Sequence, residues 1–284
     1  MTYAFPRLKR LLTFIYERHA IYQRRFEQKL PAPWTHDEIL RTYKFTNVYR
    51  ELDRVTLWIA EHWRSPFKDE KDLWFAMVIA RLVNHPDTLD EIKSPYHWNA
   101  AQFCRIMARR RDAGLQRFGG AYIISTGGLS MDKAEYLAHH VLDPLWAARD
   151  LVRPRAGDTL QAFHGRLMSF DGMGSFMAAQ VVADMKYVAP LRQAKDFWTF
   201  ASSGPGSRRG MSYTCGFTPN TKWREHEWRD ALNDLYAYVT PHIVEWKFPE
   251  LHAQDLQNCL CEFSKYMRTD AGTGRPKAKF TPHS

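Results

Sequence analysis

Apolar residues at Leu8, Leu11, Leu12, Ile15 and Tyr16, with Arg and Lys between them, predict a basic amphipathic helix from Leu8 to about Leu30. Pro31 and Pro33 end it, and Thr35 with Glu38 three positions on has the form of a capping box opening a second helix that runs through Trp63. Residues 74–83 are almost continuously apolar, too long a run for an ordinary strand, and predict a buried helix ended by Pro86. Further helices are predicted at about 97–112, 131–149, 158–169, 175–188, 223–239 and 249–267. Between residues 114 and 128 the pattern changes: FGGAYIISTGG sets a β-branched stretch between glycine pairs, the mark of a bend in close contact with another surface. From Asp270 onward the chain is rich in Gly, Pro and Lys, and a mobile end is expected.

The expected fold class is therefore all-α, with an N-terminal helical portion at 1–113, a second portion at 114–269 and a basic tail at 270–284, the first two alternatively forming one continuous domain. At 284 residues, 45% of them apolar, the chain can bury a substantial core. No apolar run is long enough to span a bilayer and the N-terminus is charged throughout, so no membrane partner and a cytoplasmic location are expected, an infected bacterial host's cytoplasm if the chain is phage-encoded. The formal charge of +9 favours a polyanionic partner, nucleic acid first, although a balance of this size also serves plain solubility. Cys104, Cys215, Cys259 and Cys261 lack zinc-finger spacing, and the histidines show no i, i+4 ligand pattern with a carboxylate, so no metal is expected.

The densest chemistry lies in LMSFDGMGSFMAAQVVAD, residues 167–184, where one helix runs into Gly172-Met173-Gly174 and another starts at Ser175. Two glycines permit a tight turn and close approach, and the free N–H groups of the following helix form a ready phosphate site. This resembles the helix-hairpin-helix of base-excision DNA glycosylases, with Asp171 in place of the usual Pro. In that superfamily an essential Asp lies a short helix and a turn beyond the hairpin, which here singles out Asp196; its plain alternative is a helix cap. Next comes Ser202-Ser203-Gly204-Pro205-Gly206-Ser207-Arg208-Arg209-Gly210, read as a rigid loop in which Gly204 and Gly206 offer backbone N–H groups and Arg208 and Arg209 bind an anion, or as an exposed turn with solvated arginines.

Over most of its length the chain resembles the α-glutamyl/putrescinyl thymine pyrophosphorylases, a largely phage-encoded family of amino acid:DNA transferases. The resemblance rests on Pro33-Trp34-Thr35, FTNVYRELDRVTLWI (45–59), GGAYIISTGG (119–128), the hairpin, KDFWTFASSGPGSRRG and LCEFSKYMRTDAGTGRPKAKF (260–280). The same helical region accompanies the 5-hydroxymethyluracil DNA kinases, which also carry a P-loop; no G-x-x-x-x-G-K-[ST] occurs here, which argues against the kinase itself.

The resemblance implies a glycosylase-like helical fold and a transferase that displaces pyrophosphate from 5-(pyrophosphomethyl)uracil in DNA with an amino acid or polyamine co-substrate, no other cofactor being indicated. A 5-hydroxymethyluracil DNA kinase of the same pathway is a candidate partner. The target base must leave the stack, and the leaving group needs clustered cations, for which Arg208, Arg209, Arg50, Arg54, Lys265 and Arg268 are available. Asp196 could deprotonate the incoming ammonium. Asp53, placed with Arg50 on one face of a helix, and Glu262 and Tyr266 in the last helix are candidate lining residues, although such clusters are more often solvated ion pairs. The rival readings are a glycosylase excising a modified pyrimidine and a non-catalytic DNA-binding module that recruits a modifying kinase.

Overall fold

The computed structural model describes residues 3–93, 97–120, 126, 128–276 and 278–280. Among these the regular structure is helical, as expected, and the lone extended pairing is a bridge between Tyr43 and Lys279. The fold divides into one unit built from Met1–Asp53 with Ala201–Ser284, and another from Arg54–Phe200. The expected partition at 113 and 114 falls inside the second unit. Of the expected bend at 114–128, residues 121–125 and 127 lie outside the described residues; Gly119 does make a close approach, since a Cβ there would stand 2.1 Å from the Asn84 carbonyl oxygen.

The first segment carries α1 (Leu8–Tyr22), which continues as a π-helical turn, and α2 (Glu38–Thr42). The second unit holds α3 (Arg54–Ile59), α4 (Leu73–Val83), α5 (Pro86–Ile92), α6 (Ala100–Asp112), α7 (Lys133–Tyr136), α8 (Asp143–Ala147), α9 (Arg149–Val152), α10 (Leu160–Met168) and α11 (Ser175–Met185). After Ala201 come α12 (Pro205–Thr214), α13 (Glu225–Glu245) and α14 (Ala253–Asp270).

The second unit is organised around α4, every residue of which is buried, as an all-apolar helix requires. The helix ends at Asn84, whose left-handed φ of 49° closes the C-terminus, and Pro86 opens α5 instead of merely ending α4. Arg81 is the polar exception. Its Nε and Nη2 each donate at 2.6 Å to the Asp184 carboxylate on α11, and Nη2 also donates to Thr56 Oγ1 at 3.2 Å. Truncating one member of a fully buried pair strands the other charge, so Asp184→Ala is expected to lose about 3–5 kcal/mol of stability in urea unfolding. Arg64, also buried, stands 3.9 Å from the same carboxylate, so replacing Arg64, Arg81 and Asp184 together by apolar side chains is expected to lose much less; equal losses would refute the stranded-charge account.

Three predicted elements differ. The second helix is broken: Asp37, not Thr35, caps α2 by accepting from Leu40 N at 2.9 Å, and α2 ends at Thr42. Beyond it the backbone is drawn onto distant partners, with Lys44 N donating to Ala278 O and Thr46 N to Glu262 Oε2. The tail, expected to be mobile, is held by the same exchange: Phe280 N donates to Thr42 O at 2.9 Å and its ring meets Trp34 edge-on. The glycine-arginine loop is largely helix α12. Gly204 is its N-cap and Pro205 its first residue, and its glycines are packing positions against α14. A Cβ on Gly206 would lie 2.4 Å from Cys261 Sγ, and one on Gly210 2.0 Å from Leu260 O.

Candidate active site

Asp196 belongs to the Arg54–Phe200 unit and Arg208 and Arg209 to the other. The Asp196 carboxylate accepts from Leu160 N at 2.7 Å and Gln161 N at 2.9 Å, so both oxygens cap the N-terminus of α10. This is the capping alternative, served on a helix that precedes Asp196 in sequence. Arg208 is likewise engaged: Nε donates to Ser203 Oγ at 2.7 Å and Nη2 to Glu225 Oε2 at 3.0 Å. Burial alone would raise the Glu225 carboxyl, but its bonds from Ser203 and Arg208 outweigh that and hold it below the usual range. The expected anion nest at Gly204 and Gly206 gives way to helix packing, because Gly204 N donates to Ser207 Oγ and Gly206 lies against Cys261.

The hairpin has the expected form of two helices joined through glycines. Gly172 has φ +77°, and a Cβ there would come within 2.5 Å of Val141 Cγ2. Gly174 is the N-cap of α11 with open space on its Cβ side, and it leaves the first turn without a side-chain cap. Ser175 begins the helix, and its carbonyl lies 2.9 Å from His164 Nε2.

In the first unit, the structure brings together residues that the sequence places more than 200 positions apart. The segment after α2 crosses α14, and Asn47 pins it there. Asn47 N and Nδ2 donate to Asp53 Oδ1 at 2.9 and 3.1 Å, and Nδ2 donates to Leu52 O. Asn47 Oδ1 accepts from Arg18 Nη2 of α1 at 2.8 Å, and its carbonyl accepts from Asn258 of α14. Thus Asp53 does not share a helical turn with Arg50, as the spacing predicted. Arg50 opens a short 3-10 turn and Asp53 follows it in extended conformation.

Glu262, only 3% exposed, accepts from Thr46 N and from Lys265. Burial disfavours the Lys265 ammonium, but the adjoining Glu262 more than compensates and the net shift is upward. Burial pulls the Arg18 guanidinium down from its usual value, opposed by the charges of Asp53 and Glu262. Asp53 is the outlier. Burial, with some help from Glu262, pushes its carboxyl up to about 6 against the opposing Asn47 hydrogen bond and the Arg18 and Arg50 charges. Both Asn47 bonds land on Oδ1, and Oδ2 has no partner among the described residues. Beside Glu262, burial pushes the Cys261 thiol up to about 11, against the charges of Lys265 and Arg209.

A carboxyl poised near neutrality, a second buried carboxylate and the cations Arg18, Arg50 and Lys265 form an arrangement able to take a proton beside a developing anion. Of the other expected residues, Tyr266 directs its hydroxyl to Asp37 Oδ2 at 2.6 Å. Arg54 opens α3 in the other unit, and Arg268 is exposed at the end of α14. Two members of the cluster, Arg18 and Asn47, are not among the residues that the sequence singles out. Asn47 sits inside the FTNVYRELD string and was open to discovery, whereas Arg18 is one basic residue among many in α1. No group of His, Cys, Asp and Glu among the described residues could hold a metal ion, and no helix among them is long and apolar enough to cross a membrane.

The family model described as the helical domain of 5-hmdU DNA kinase matches residues 6–275. A 5-hmdU DNA kinase of Bacillus phage SP10 is 26% identical over 297 residues, covering 93% of this chain and 46% of the relative. The chain thus spans about half the length of that curated relative. No solved structure matches it. The segments that build the Asp53 cluster and the hairpin all fall within the matched range, and on the extent of that match the chain belongs to the family of the 5-hmdU DNA kinase helical domain.

Proposed function

We propose that the chain is a thymine-hypermodification transferase that displaces pyrophosphate from 5-(pyrophosphomethyl)uracil in DNA with an amino acid or polyamine. The observation that carries this is Asp53, a carboxyl near pH 6 with one oxygen unengaged, set among Arg18, Arg50 and Lys265. In this reading Asp53 takes a proton from the incoming ammonium, and the freed lone pair forms the C–N bond to the exocyclic methylene carbon. The C–O bond to pyrophosphate breaks, and its electrons leave with the anion, which the cations stabilise. The second ammonium proton passes to solvent. Asp196, as the cap of α10, supports the fold of its own unit, and the hairpin turn at Gly172 and Gly174 would approach a backbone phosphate while the target base is extruded.

Family membership supports the substrate class, since the relative's name places its action on 5-hmdU in DNA. It also favours a second reading, a DNA-binding helical module of a base-modifying kinase, because the match is to that protein's helical domain. The two separate on product. Purified protein, DNA carrying 5-(pyrophosphomethyl)uracil and candidate amines are expected to release pyrophosphate and yield an aminomethyl nucleoside by mass spectrometry. Free base with an abasic site would establish a glycosylase instead, and DNA binding with no new nucleoside would establish the module.

A further inference from the structure

Asn47, half-buried between α1 and α14, engages every polar atom it has. Arg18 Nη2 divides its two hydrogens between Phe45 O at 3.1 Å and Asn47 Oδ1 at 2.8 Å. Asn47 Nδ2 divides its own between Leu52 O at 2.9 Å and Asp53 Oδ1 at 3.1 Å, and the Asn47 N–H donates to that same Asp53 oxygen at 2.9 Å. From α14, Asn258 Nδ2 donates to Thr46 Oγ1 and to Asn47 O, both at 3.1 Å.

These contacts admit one orientation of the amide. A guanidinium only donates and a peptide carbonyl only accepts, so Oδ1 must face Arg18 and Nδ2 must face Leu52. Reversing the amide would set donor against donor at Arg18 and acceptor against acceptor at Leu52 and at ionised Asp53. The consequence falls on Asp53. Two donors occupy its Oδ1, where a proton would collide with both, and Oδ2 has no partner among the described residues.

We propose that Asn47, oriented by Arg18, is a positioning residue that ties down Asp53 Oδ1 and so makes Oδ2 the oxygen that exchanges the proton. The proposal rests on the reading of Asp53 as the base of the transfer and adds to it the reacting atom and the group that presents it.

The charged groups facing Asp53 are Arg18 of α1, Arg50 of the 3-10 turn, and Glu262 and Lys265 of α14, and Asn47→Ala alters none of them. A hydrogen bond to a carboxylate favours its charged form, so losing one raises the titration midpoint. In N47A the Asp53 midpoint, read by carbon-13 NMR of its carboxyl, is expected to rise by about one pH unit. Turnover on the plateau above the midpoint is expected to fall at least about tenfold with KM held, as for a misplaced base. A side chain that merely braced the segment would cost stability and leave the midpoint in place. Should N47A not fold, Asn47→Asp keeps the shape; its lost donor and like charge are expected to raise the Asp53 midpoint further. A wild type that transfers no amine sinks the transfer reading, while the NMR titration still decides on Asn47. A folded variant of either kind whose Asp53 titrates as in wild type overturns the proposal.

Discussion

Asp53→Asn is expected to lower turnover by about 100- to 10,000-fold, the usual contribution of a positioned general base. The same change should abolish the acid limb of the pH–rate profile, which in the wild type rises to a plateau with a midpoint near 6, where burial has pushed the Asp53 carboxyl. Stability should move the other way. The native value of about 6 lies above the ordinary 3.8, so the folded protein holds more protons than the unfolded chain between those limits. The contribution of Asp53 to stability therefore falls as pH rises through that window and stays at its reduced level above it. The difference is at most about 3 kcal/mol, before water and the flanking arginines reduce it. An Asn side chain carries no charge to bury and still offers an oxygen to Asn47, so the variant should be as stable as wild type at pH 8, or more so, while inactive. A variant that keeps its acid limb would remove Asp53 from the chemistry. Asp196→Ala is the contrast: it should cost about 0.5–2 kcal/mol as a lost cap, with turnover of the folded fraction retained.

Gly210→Ala should be the most damaging conservative change in the first unit. The new Cβ would stand 2.0 Å from Leu260 O, 2.6 Å from Leu260 C and 3.0 Å from its Cα, all backbone atoms of α14 that cannot swing aside. α12 and α14 would have to separate, and an expected loss above about 3 kcal/mol exceeds ordinary overpacking because no rotamer relieves the contact. Urea unfolding followed by tryptophan fluorescence reads it directly, with Trp228 fully buried in the same unit. Gly206→Ala tests the same interface more gently, since its obstacle is the Cys261 Sγ at 2.4 Å. Cys261→Ala removes that atom, so the double variant should recover most of the loss. Additive losses would show that the two helices are not limited by this contact.

The Gly206 and Gly210 pair illustrates how a correct local observation can carry the wrong meaning. Glycines spaced with two arginines between them have the local form of an anion-binding loop. What makes them necessary is a helix on the far side of them, which no local pattern displays. Asp196 likewise stands out by its distance from the hairpin, and the capping alternative is what its hydrogen bonds serve, on a helix 35 and 36 positions earlier in the chain. The Asp53 cluster runs the other way. Arg50, Asp53, Glu262 and Lys265 are each visible as charged residues within the strings that carry the resemblance, but nothing in their spacing joins residue 46 to residue 262.

What the sequence determined by itself is what short-range physics controls: helical periodicity, the burial of α4 from its unbroken apolar run, and the turn at Gly172-Met173-Gly174. Those features depend on residues a few positions apart, so pattern suffices. The tertiary structure alone decided that the second predicted helix stops at Thr42, that the tail is pinned against the same segment, and that Asp53 becomes a carboxyl near neutrality. Each of these follows from partners brought over long stretches of chain, where desolvation and hydrogen bonding depend on what packs nearby and outweigh the local preference.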